Sequence, residues 1–198
     1  MWRVPWQFEE GVSAAWRAAR PFSHLVADDV VDPAALAELT ALLEDEPVHR
    51  YDGEIFAFEA TAPEPTTGAL RDLRDQFAAA FAPVLSRITR REVSRVDMRA
   101  YAYRPGHFLL PHTDHQDGLE RALAYAYYLA SPEPPVGGEL ELFACELADG
   151  AITGVTTGKV IEPRANRLVV FDVGDGTLHQ VREVLGGLRM SLAGWFYP

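Results

Sequence analysis

The sequence predicts an α+β fold that is mainly β: a double-stranded β-helix, or jelly roll, with supporting N-terminal helices. Apolar residues recur with helical spacing before about Val93, whereas short alternating segments separated by Gly and Pro dominate after it. No linker separates the two parts, and 198 residues with 48% hydrophobic content can bury one core. We therefore predict a single domain over residues 1–198, with a helical support region at about 1–92 and a jelly-roll core over 93–198.

Two helices are predicted in the N-terminal half. Asp32 can cap a helix that has Pro33 in its first turn and runs through Asp45. A second helix is predicted from about Gly68, and Pro83 should kink it. Apolar residues at intervals of three and four predict its core-facing side: Leu70, Leu73, Phe77, Phe81, Val84, Leu85 and Ile88.

Three loops are predicted to cover the sheet or to surround a pocket, and specificity is expected to reside in such loops. The first is an aromatic and acidic connection from Tyr51 to Pro65, in which Phe56 and Phe58 alternate. The other two are His115 to Glu120 and Cys145 to Gly158.

The C-terminal half is predicted to contain about eight strands, a number that suits a double-sheet jelly roll. Alternate residues of a strand share a face. In the third strand, small side chains and one phenol predict a cavity wall, formed by Ala122, Ala124, Ala126 and Tyr128. The predicted strands are Val96 to Tyr103, Phe108 to His112, Arg121 to Leu129, Gly138 to Phe143, Lys159 to Ile161, Arg167 to Val173, Thr177 to Val181 and Arg189 to Tyr197.

Composition narrows the class of partner. The chain has 29 acidic and 18 basic residues and a net charge of -11, which argues against nucleic acid and anionic lipid as partners. The single cysteine, Cys145, excludes an internal disulfide and predicts a reducing, cytoplasmic location. Met1 to Gln7 lack the pattern of a signal peptide, and no segment has the length and hydropathy of a membrane span. Oligomeric state cannot be predicted.

The most informative motif is His112-Thr113-Asp114, together with the distant His179. A histidine and a carboxylate two residues apart point the same way where a strand ends, so one strand end can supply two metal ligands. A third ligand from a neighbouring strand would complete the two-histidine, one-carboxylate triad that leaves positions open on non-haem Fe(II). We therefore predict that His112, Asp114 and His179 are both the catalytic and the metal-binding residues.

A second His-x-Asp motif follows three residues later, at His115 and Asp117, and spacing alone does not exclude it. We favour the first motif because it directly follows the apolar run Phe108 to Leu110, where a strand leaves the core. His115 and Asp117 precede Gly118 and have the character of loop residues. His115 is then a solvated loop residue or a substrate contact.

Arg189 begins the last apolar strand and shares a face with Ser191. A guanidinium that faces into a barrel needs a carboxylate partner, because burying an unpaired charge costs several kcal/mol. A dicarboxylate that chelates the metal at one end and is held by arginine at the other satisfies this need, and 2-oxoglutarate is the implied cosubstrate. The alternative is a structural ion pair with Glu139 or Glu141.

Several segments resemble the Fe(II)- and 2-oxoglutarate-dependent oxygenases of the prolyl hydroxylase type, in the order found in the ribosomal-protein prolyl hydroxylases. The resemblance covers most of the chain. It is strong after Tyr103 and looser before it, at Phe22 to Asp29 and Ile55 to Phe58. The matching motifs are Tyr103 to Asp114, Tyr127-Tyr128-Leu129, Gly137 to Leu140, Leu178 to Leu185, and Arg189-x-Ser191 followed by Gly194-Trp195-Phe196.

The resemblance implies a dioxygenase that uses Fe(II), 2-oxoglutarate and O2, with ascorbate as a candidate reductant. It implies that Arg189 binds the far carboxylate of 2-oxoglutarate, that Tyr128 and Tyr103 hydrogen-bond to it, and that Ser191 supplies a further hydroxyl. The implied reaction is hydroxylation of a prolyl residue, an amino acid or a peptide-like substrate, with release of succinate and CO2. The ribosomal-protein enzymes are tandems of two jelly rolls, so a free amino acid, a peptide or a natural-product precursor is an alternative to a protein substrate.

Two other functions are compatible with the same residues. A cupin-like enzyme would use the metal without 2-oxoglutarate, and Arg189 would then be structural. A non-catalytic binding or sensing module of the same fold would consume no cosubstrate. Dependence on 2-oxoglutarate and release of succinate separate these alternatives.

Overall fold

A computed structural model describes residues 2–6, 9–43 and 46–198. The helices in these residues are α1 (Glu9–Ala18), α2 (Pro33–Leu42) and α3 (Gly68–Thr89). The strands are β1 (His24–Asp28), β2 (Val48–Asp52), β3 (Phe56–Thr61), β4 (Arg95–Val96), β5 (Arg99–Tyr103), β6 (Phe108–His112), β7 (Leu123–Tyr128), β8 (Val136–Gly137), β9 (Leu140–Ala148), β10 (Ala151–Ile161), β11 (Arg167–Asp172), β12 (His179–Val181), β13 (Val184–Gly186) and β14 (Arg189–Tyr197).

The predicted fold class is confirmed, since a curled, antiparallel sheet dominates the described residues. Its strands are ordered β1-β11-β7-β14-β5-β3-β6-β12-β9-β10, with β2 paired to β3 and β4 paired to β14. The first and last strands approach each other, because Lys159 Nζ on β10 lies 2.9 Å from His24 Nε2 on β1. The sheet thereby encloses an interior, and β8 and β13 form a small separate pair.

The helices pack on the outer face of this sheet. α2 has Pro33 at its N-terminus, as predicted, and ends at Leu42; the predicted end at Asp45 lies outside the described residues. In α3 the Thr67 hydroxyl accepts a hydrogen bond from the Leu70 N–H. The predicted apolar face of α3 is confirmed, with Val84 partly buried against it; the fully buried members are Leu70, Leu73, Phe77, Phe81, Leu85 and Ile88. Helix α1 was not predicted.

The two faces of β7 separate the outer core from the interior, as its alternation predicts. Tyr125 and Tyr127 pack with the helices, whereas Ala124, Ala126 and Tyr128 face the interior. The prediction for Ala122 is wrong. It precedes β7 and packs against the helix-side core.

Two of the predicted loops are strands. Within Tyr51 to Pro65, Phe58 pairs with Tyr51 in the hairpin formed by β2 and β3, and the turn is closed by the Gly53 N–H, which donates to the Phe56 carbonyl. Most of Cys145 to Gly158 belongs to the β9–β10 hairpin. The alternation of Phe56 and Phe58 is itself typical of a strand. In contrast, β10 is an edge strand with many polar residues, so the alternation of apolar and polar residues that marks a strand is not evident in its sequence.

The boundary at about residue 92 stays a prediction. Strands β1, β2 and β3 precede it in sequence and belong to the same sheet as the strands that follow it. Among the helices described, none is long and apolar enough to cross a membrane.

Candidate functional site

Two neighbouring antiparallel strands bring the predicted metal ligands together. His112 is the last residue of β6, His179 is the first residue of β12, and the two are Cα partners. Asp114 lies two residues beyond the end of β6, where the chain has left the strand and can turn its carboxylate toward both rings. One ligand atom from each of His112, Asp114 and His179 lies within 4.8 Å of the others, a spacing that could hold one metal ion.

The hydrogen bonds of the two histidines orient their metal-facing nitrogens. His112 Nδ1 lies 2.9 Å from the Leu110 carbonyl oxygen, and His179 Nδ1 lies 2.9 Å from the Thr177 carbonyl oxygen. Because a carbonyl only accepts, each Nδ1 donates and each Nε2 keeps a free lone pair. The Nε2 atoms of His112 and His179 lie 3.8 and 3.5 Å from carboxylate oxygens of Asp114.

The charge balance at this cluster also fits a cation. Burial lowers the pKa of His179 from its ordinary value, although the Asp114 carboxylate opposes that shift. His179 is therefore favoured in the neutral form, which is the form that binds a metal. Asp114 is buried and forms no ion pair with a lysine or arginine of the described residues. The donor set of two imidazoles and one carboxylate is the set expected for non-haem Fe(II).

The second His-x-Asp motif is not part of this cluster. His115 and Asp117 are exposed, and His115 Nε2 lies 3.5 Å from an Asp175 carboxylate oxygen at the surface. The structure therefore brings together the first motif with His179 and leaves the second in solvent. Gln116, which lies between His115 and Asp117 in sequence, does line the interior cavity.

The interior of the sheet contains a cavity of about 590 Å³. The metal cluster lines it, and so do the apolar side chains of Leu140 on β9, Phe171 on β11 and Val181 on β12, the strand that carries His179. The ring centres of Phe171 and His179 are 4.7 Å apart, so the apolar wall reaches the metal cluster.

Arg189 is buried in the wall of the same cavity and lacks a carboxylate partner in the described part of the chain. The predicted alternative, a structural ion pair with Glu139 or Glu141, is not formed. Glu141 instead accepts hydrogen bonds from Arg182 Nε and Gln180 Nε2, each at 2.7 Å. None of the carboxylates in the described residues therefore neutralises Arg189.

Hydroxyl-bearing side chains surround the Arg189 guanidinium. Its carbon lies 4.8 Å from the ring centre of Tyr103 and 5.0 Å from that of Tyr128, and Nη1 lies 3.4 Å from Ser191 Oγ. The Nε atom of Arg189 and the hydroxyl of Tyr128 are buried and have no hydrogen-bond partner within residues 2–6, 9–43 and 46–198. Burial raises the pKa of Tyr103, so its phenol stays protonated. These groups fit a carboxylate, whose oxygens accept several hydrogen bonds.

Most of the predicted site residues therefore meet at one cavity. His112, Asp114, His179, Tyr103, Arg189 and Ser191 line it. Tyr128 is fully buried and reaches the site through its contact with the guanidinium of Arg189.

Phe56 and Phe58, from the segment Tyr51 to Pro65 that the sequence predicts to cover the sheet or a pocket, line the cavity, whereas four further lining residues were not predicted: Arg99, Tyr101, Arg121 and Trp195. Arg99 and Tyr101 alternate with Tyr103 on β5, so the period of that strand could have revealed them. Arg121 could not have been found in this way. It lies outside β7, and its guanidinium carbon is 3.6 Å from the ring centre of Trp195. This contact joins residues that are far apart in the sequence, so no local pattern predicts it.

Comparison with known families gives one match over half of the chain. Residues 98–197 match the family described as the 2OG-Fe(II) oxygenase superfamily. A curated relative, prolyl 3-hydroxylase OGFOD1 of Mus musculus, is 28% identical over 207 residues, which cover 94% of this chain and 37% of the relative. The chain thus corresponds to little more than a third of that relative's length.

Solved structures share the fold. A prolyl-4-hydroxylase from Pseudomonas putida superposes with a TM-score of 0.68 at 24% identity, covering 94% of this chain and 98% of the other. A 2OG-Fe(II) oxygenase family oxidoreductase from Burkholderia pseudomallei superposes with a TM-score of 0.72 at 16% identity, covering 98% and 93%. At these identities the likeness shows the architecture alone.

Proposed function

The chain belongs to the 2OG-Fe(II) oxygenase superfamily, and from this premise we propose that it is an Fe(II)- and 2-oxoglutarate-dependent dioxygenase that hydroxylates a prolyl residue. One observation carries the proposal. A buried arginine that pairs with no carboxylate of the part of the chain that the structure describes shares a cavity with a His-Asp-His cluster of metal-binding geometry. The relative named prolyl 3-hydroxylase supports a prolyl residue as the target. A free amino acid or a peptide-like molecule is the alternative substrate.

In this proposal His112, Asp114 and His179 hold Fe(II). Two histidines and one carboxylate would leave positions open on Fe(II) for 2-oxoglutarate and O2. When bound, the iron with these cosubstrates supplies the oxidation, in which 2-oxoglutarate yields succinate and CO2 and one oxygen atom enters a substrate C–H bond. The hydrogen bonds to the Leu110 and Thr177 carbonyls keep both imidazole rings aimed at the metal.

Arg189 binds the carboxylate of 2-oxoglutarate that is remote from the metal. A guanidinium binds a carboxylate through two parallel N–H donors, which fixes orientation as well as position. Tyr128 and Tyr103 donate from their phenols, and Ser191 supports the guanidinium from the neighbouring position on the same face. The Tyr128 hydroxyl, which is buried without a partner, thereby gains a hydrogen bond.

The remaining walls position the substrate and exclude water. Leu140, Phe171 and Val181 surround the metal cluster with apolar surface, which limits access of bulk water to the reacting atoms. Phe56 and Phe58 on β3 extend this surface with aromatic rings, 5.4 Å apart between centres. Such a wall suits the apolar ring of a prolyl residue.

The proposed partners and location follow from composition. The net charge of -11 disfavours nucleic acid and anionic membranes and leaves a peptide, protein or small-molecule substrate. Cys145 is a free cysteine, which supports a reducing, cytoplasmic compartment.

A turnover assay tests this function. The protein is supplied with Fe(II), 2-oxoglutarate, ascorbate and O2 and is offered a panel of prolyl peptides and free amino acids. We expect succinate to form in step with a substrate that gains one oxygen atom, and neither product to form with His179→Ala. A product that forms without consumption of 2-oxoglutarate would contradict the proposal and favour a cupin-like enzyme.

A further inference from the structure

The arginines that line the cavity differ from most others in the chain. Many of the arginines outside this cavity pair with a carboxylate, as Arg167 does with Asp28 at 2.7 Å and Arg182 does with Glu141 at 2.7 Å. Arg99, Arg121 and Arg189 line the cavity, and none of the three forms an ion pair with a carboxylate of the described residues. In a chain with a net charge of -11, unpaired cations gathered in one cavity indicate that the cavity receives anionic groups.

Arg99 and Arg189 are too far apart to bind the same carboxylate. On β5 and β14, Tyr103 is the Cα partner of Arg189, and Arg99 is the partner of Ala193. Arg99, Tyr101 and Tyr103 share the inner face of β5. The backbone of Arg99 is four residues along β5 from Tyr103, the partner of Arg189, which corresponds to about 13 Å along the strand. A carboxylate bound at Arg189 therefore leaves Arg99 without a partner.

The Arg99 guanidinium is held in place by neutral groups. Its Nε and Nη2 donate to the Thr61 carbonyl at 2.8 and 2.5 Å, and its carbon lies 5.0 and 5.4 Å from the ring centres of Tyr51 and Tyr101. The Thr61 carbonyl fixes the position of the Arg99 guanidinium without neutralising its charge, and Nη1 takes no part in the bonds to Thr61. Arg99 is thus a preorganised cation that faces the cavity, and its hydrogen-bond partners, the Thr61 carbonyl and the Tyr101 hydroxyl, are both neutral.

We propose that Arg99 binds a carboxylate of the substrate and so selects substrates that carry one close to the residue that is oxidised. This inference rests on the proposed function and adds the chemical class of the group that is recognised. The carboxylate has two possible sources: an Asp or Glu side chain of a peptide, or the terminal carboxylate of a C-terminal residue or free amino acid.

The hydrogen bonds of Arg99 to Thr61 also have a structural role. They join the end of β3 to the start of β5, together with a hydrogen bond from the Ala100 N–H to the Thr61 hydroxyl at 3.1 Å. A role limited to this link would affect binding of charged and neutral substrates equally. Selectivity for a carboxylate is therefore the property to measure.

The test uses four prolyl probes in matched pairs. One pair is an N-acetylated, C-terminally amidated peptide with Asp after the proline, and its Asn counterpart. The other is N-acetyl-alanyl-proline as the free acid and as the amide. Isothermal calorimetry measures their binding to the Fe(II)- and 2-oxoglutarate-loaded protein without O2, and to the Arg99→Gln, Arg99→Lys and Arg104→Gln variants. Arg104 is the matched control because its guanidinium pairs with Glu59 outside the cavity lining.

We expect the wild type to bind one carboxylate probe roughly tenfold to 150-fold more tightly than its neutral twin, the range for a charged hydrogen bond. Arg99→Gln should abolish that preference, Arg99→Lys should keep part of it, and Arg104→Gln should leave it unchanged. The pair that shows the preference identifies the source of the carboxylate. Thermal unfolding of each variant checks that the fold is retained.

Equal binding of acid and neutral twins by the wild type would overturn the inference, as would a preference that survives in Arg99→Gln. The proposed function is judged separately, by the visible charge-transfer band of the Fe(II)-2-oxoglutarate chelate in the same samples. A band without carboxylate selectivity removes only the role of Arg99. Loss of the band removes the proposed function.

Discussion

His112 and His179 are Cα partners across two antiparallel strands, and their ring centres lie 4.3 Å apart. This pairing places two imidazoles side by side, and Asp114 completes the cluster from the segment that follows the first strand. Because both ligand strands belong to a packed sheet, the geometry exists before a metal binds, and little ordering should be required on binding.

Replacing a proposed metal ligand should abolish Fe(II) binding. His179→Ala removes one of three donors and leaves Asp114 with a single imidazole, so we expect metal affinity and turnover to fall below detection. Equilibrium dialysis against Fe(II) without O2 measures the affinity. His115→Ala is the matched control, because His115 belongs to the exposed second motif. Unchanged metal binding by His179→Ala would reject the ligand assignment.

Removing the guanidinium of Arg189 should raise the concentration of 2-oxoglutarate that is required. A charged hydrogen bond contributes about 1.5–3 kcal/mol. We therefore expect Arg189→Ala to weaken 2-oxoglutarate binding by roughly tenfold to 150-fold for each hydrogen bond that is lost. Binding is measured on the Fe(II)-loaded protein without O2, and Fe(II) affinity should be retained. An unchanged requirement would place the anchor at another residue.

Two neighbouring tyrosines on β7 should respond in opposite ways to loss of the hydroxyl. The Tyr128 hydroxyl has no hydrogen-bond partner among the described residues, so Tyr128→Phe should leave the free energy of unfolding unchanged and weaken 2-oxoglutarate binding by about 0.5–1.5 kcal/mol. The Tyr127 hydroxyl donates to Asn166 Oδ1 at 3.0 Å on the opposite face. Tyr127→Phe should therefore lower stability and leave 2-oxoglutarate binding intact. Urea unfolding and calorimetry provide the two readouts, and the reverse pattern would contradict the site.

The buried Glu141 should stabilise the fold in a pH-dependent way. Hydrogen bonds from Arg182 first, and from Thr157 and Gln180, lower its pKa to about 2 in the folded protein. Because this value lies below the unfolded value of about 4.3, the stabilisation is present above pH 4.3 and is lost as the pH falls toward 2. We expect Glu141→Gln to lower the free energy of unfolding at pH 7 by about 1–3 kcal/mol.

Urea unfolding as a function of pH checks this expectation. The difference between wild type and Glu141→Gln should shrink on acidification below about pH 4.3. Glu139→Gln serves as the control. Glu139 is two residues from Glu141 in sequence, but it forms no ion pair with a described residue, whereas Glu141 pairs with Arg182. A difference that is constant from pH 7 to pH 3 would show that the charge of Glu141 is not what stabilises the fold.

The sequence predicted those parts of the fold and site that depend on local pattern. The predicted bounds of β6 and β14 agree with the structure, because both strands are strongly apolar and begin or end at polar residues. The pair His112 and Asp114 could be predicted since both ligands come from one strand end. Ser191 could be placed beside Arg189 for the same reason.

Features that depend on contacts between distant segments could not be predicted in this way. The sequence predicts a loop where the hairpin of β2 and β3 lies, because β2 carries exposed charged residues and the turn contains Gly53 and Glu54. The role of Arg99 depends on the Thr61 carbonyl, which a separate strand supplies. The stacking of Arg121 on Trp195 likewise joins residues that only the folded sheet brings together.

An anaerobic titration of the metal-free protein, first with Fe(II) and then with 2-oxoglutarate, examines the metal ligands and Arg189 together. We expect the visible charge-transfer band of the chelate to appear in the wild type, to be absent from His179→Ala, and to require more 2-oxoglutarate in Arg189→Ala. If the wild type binds Fe(II) but shows no band on addition of 2-oxoglutarate, the proposed function is wrong and the buried charge of Arg189 is left without a ligand.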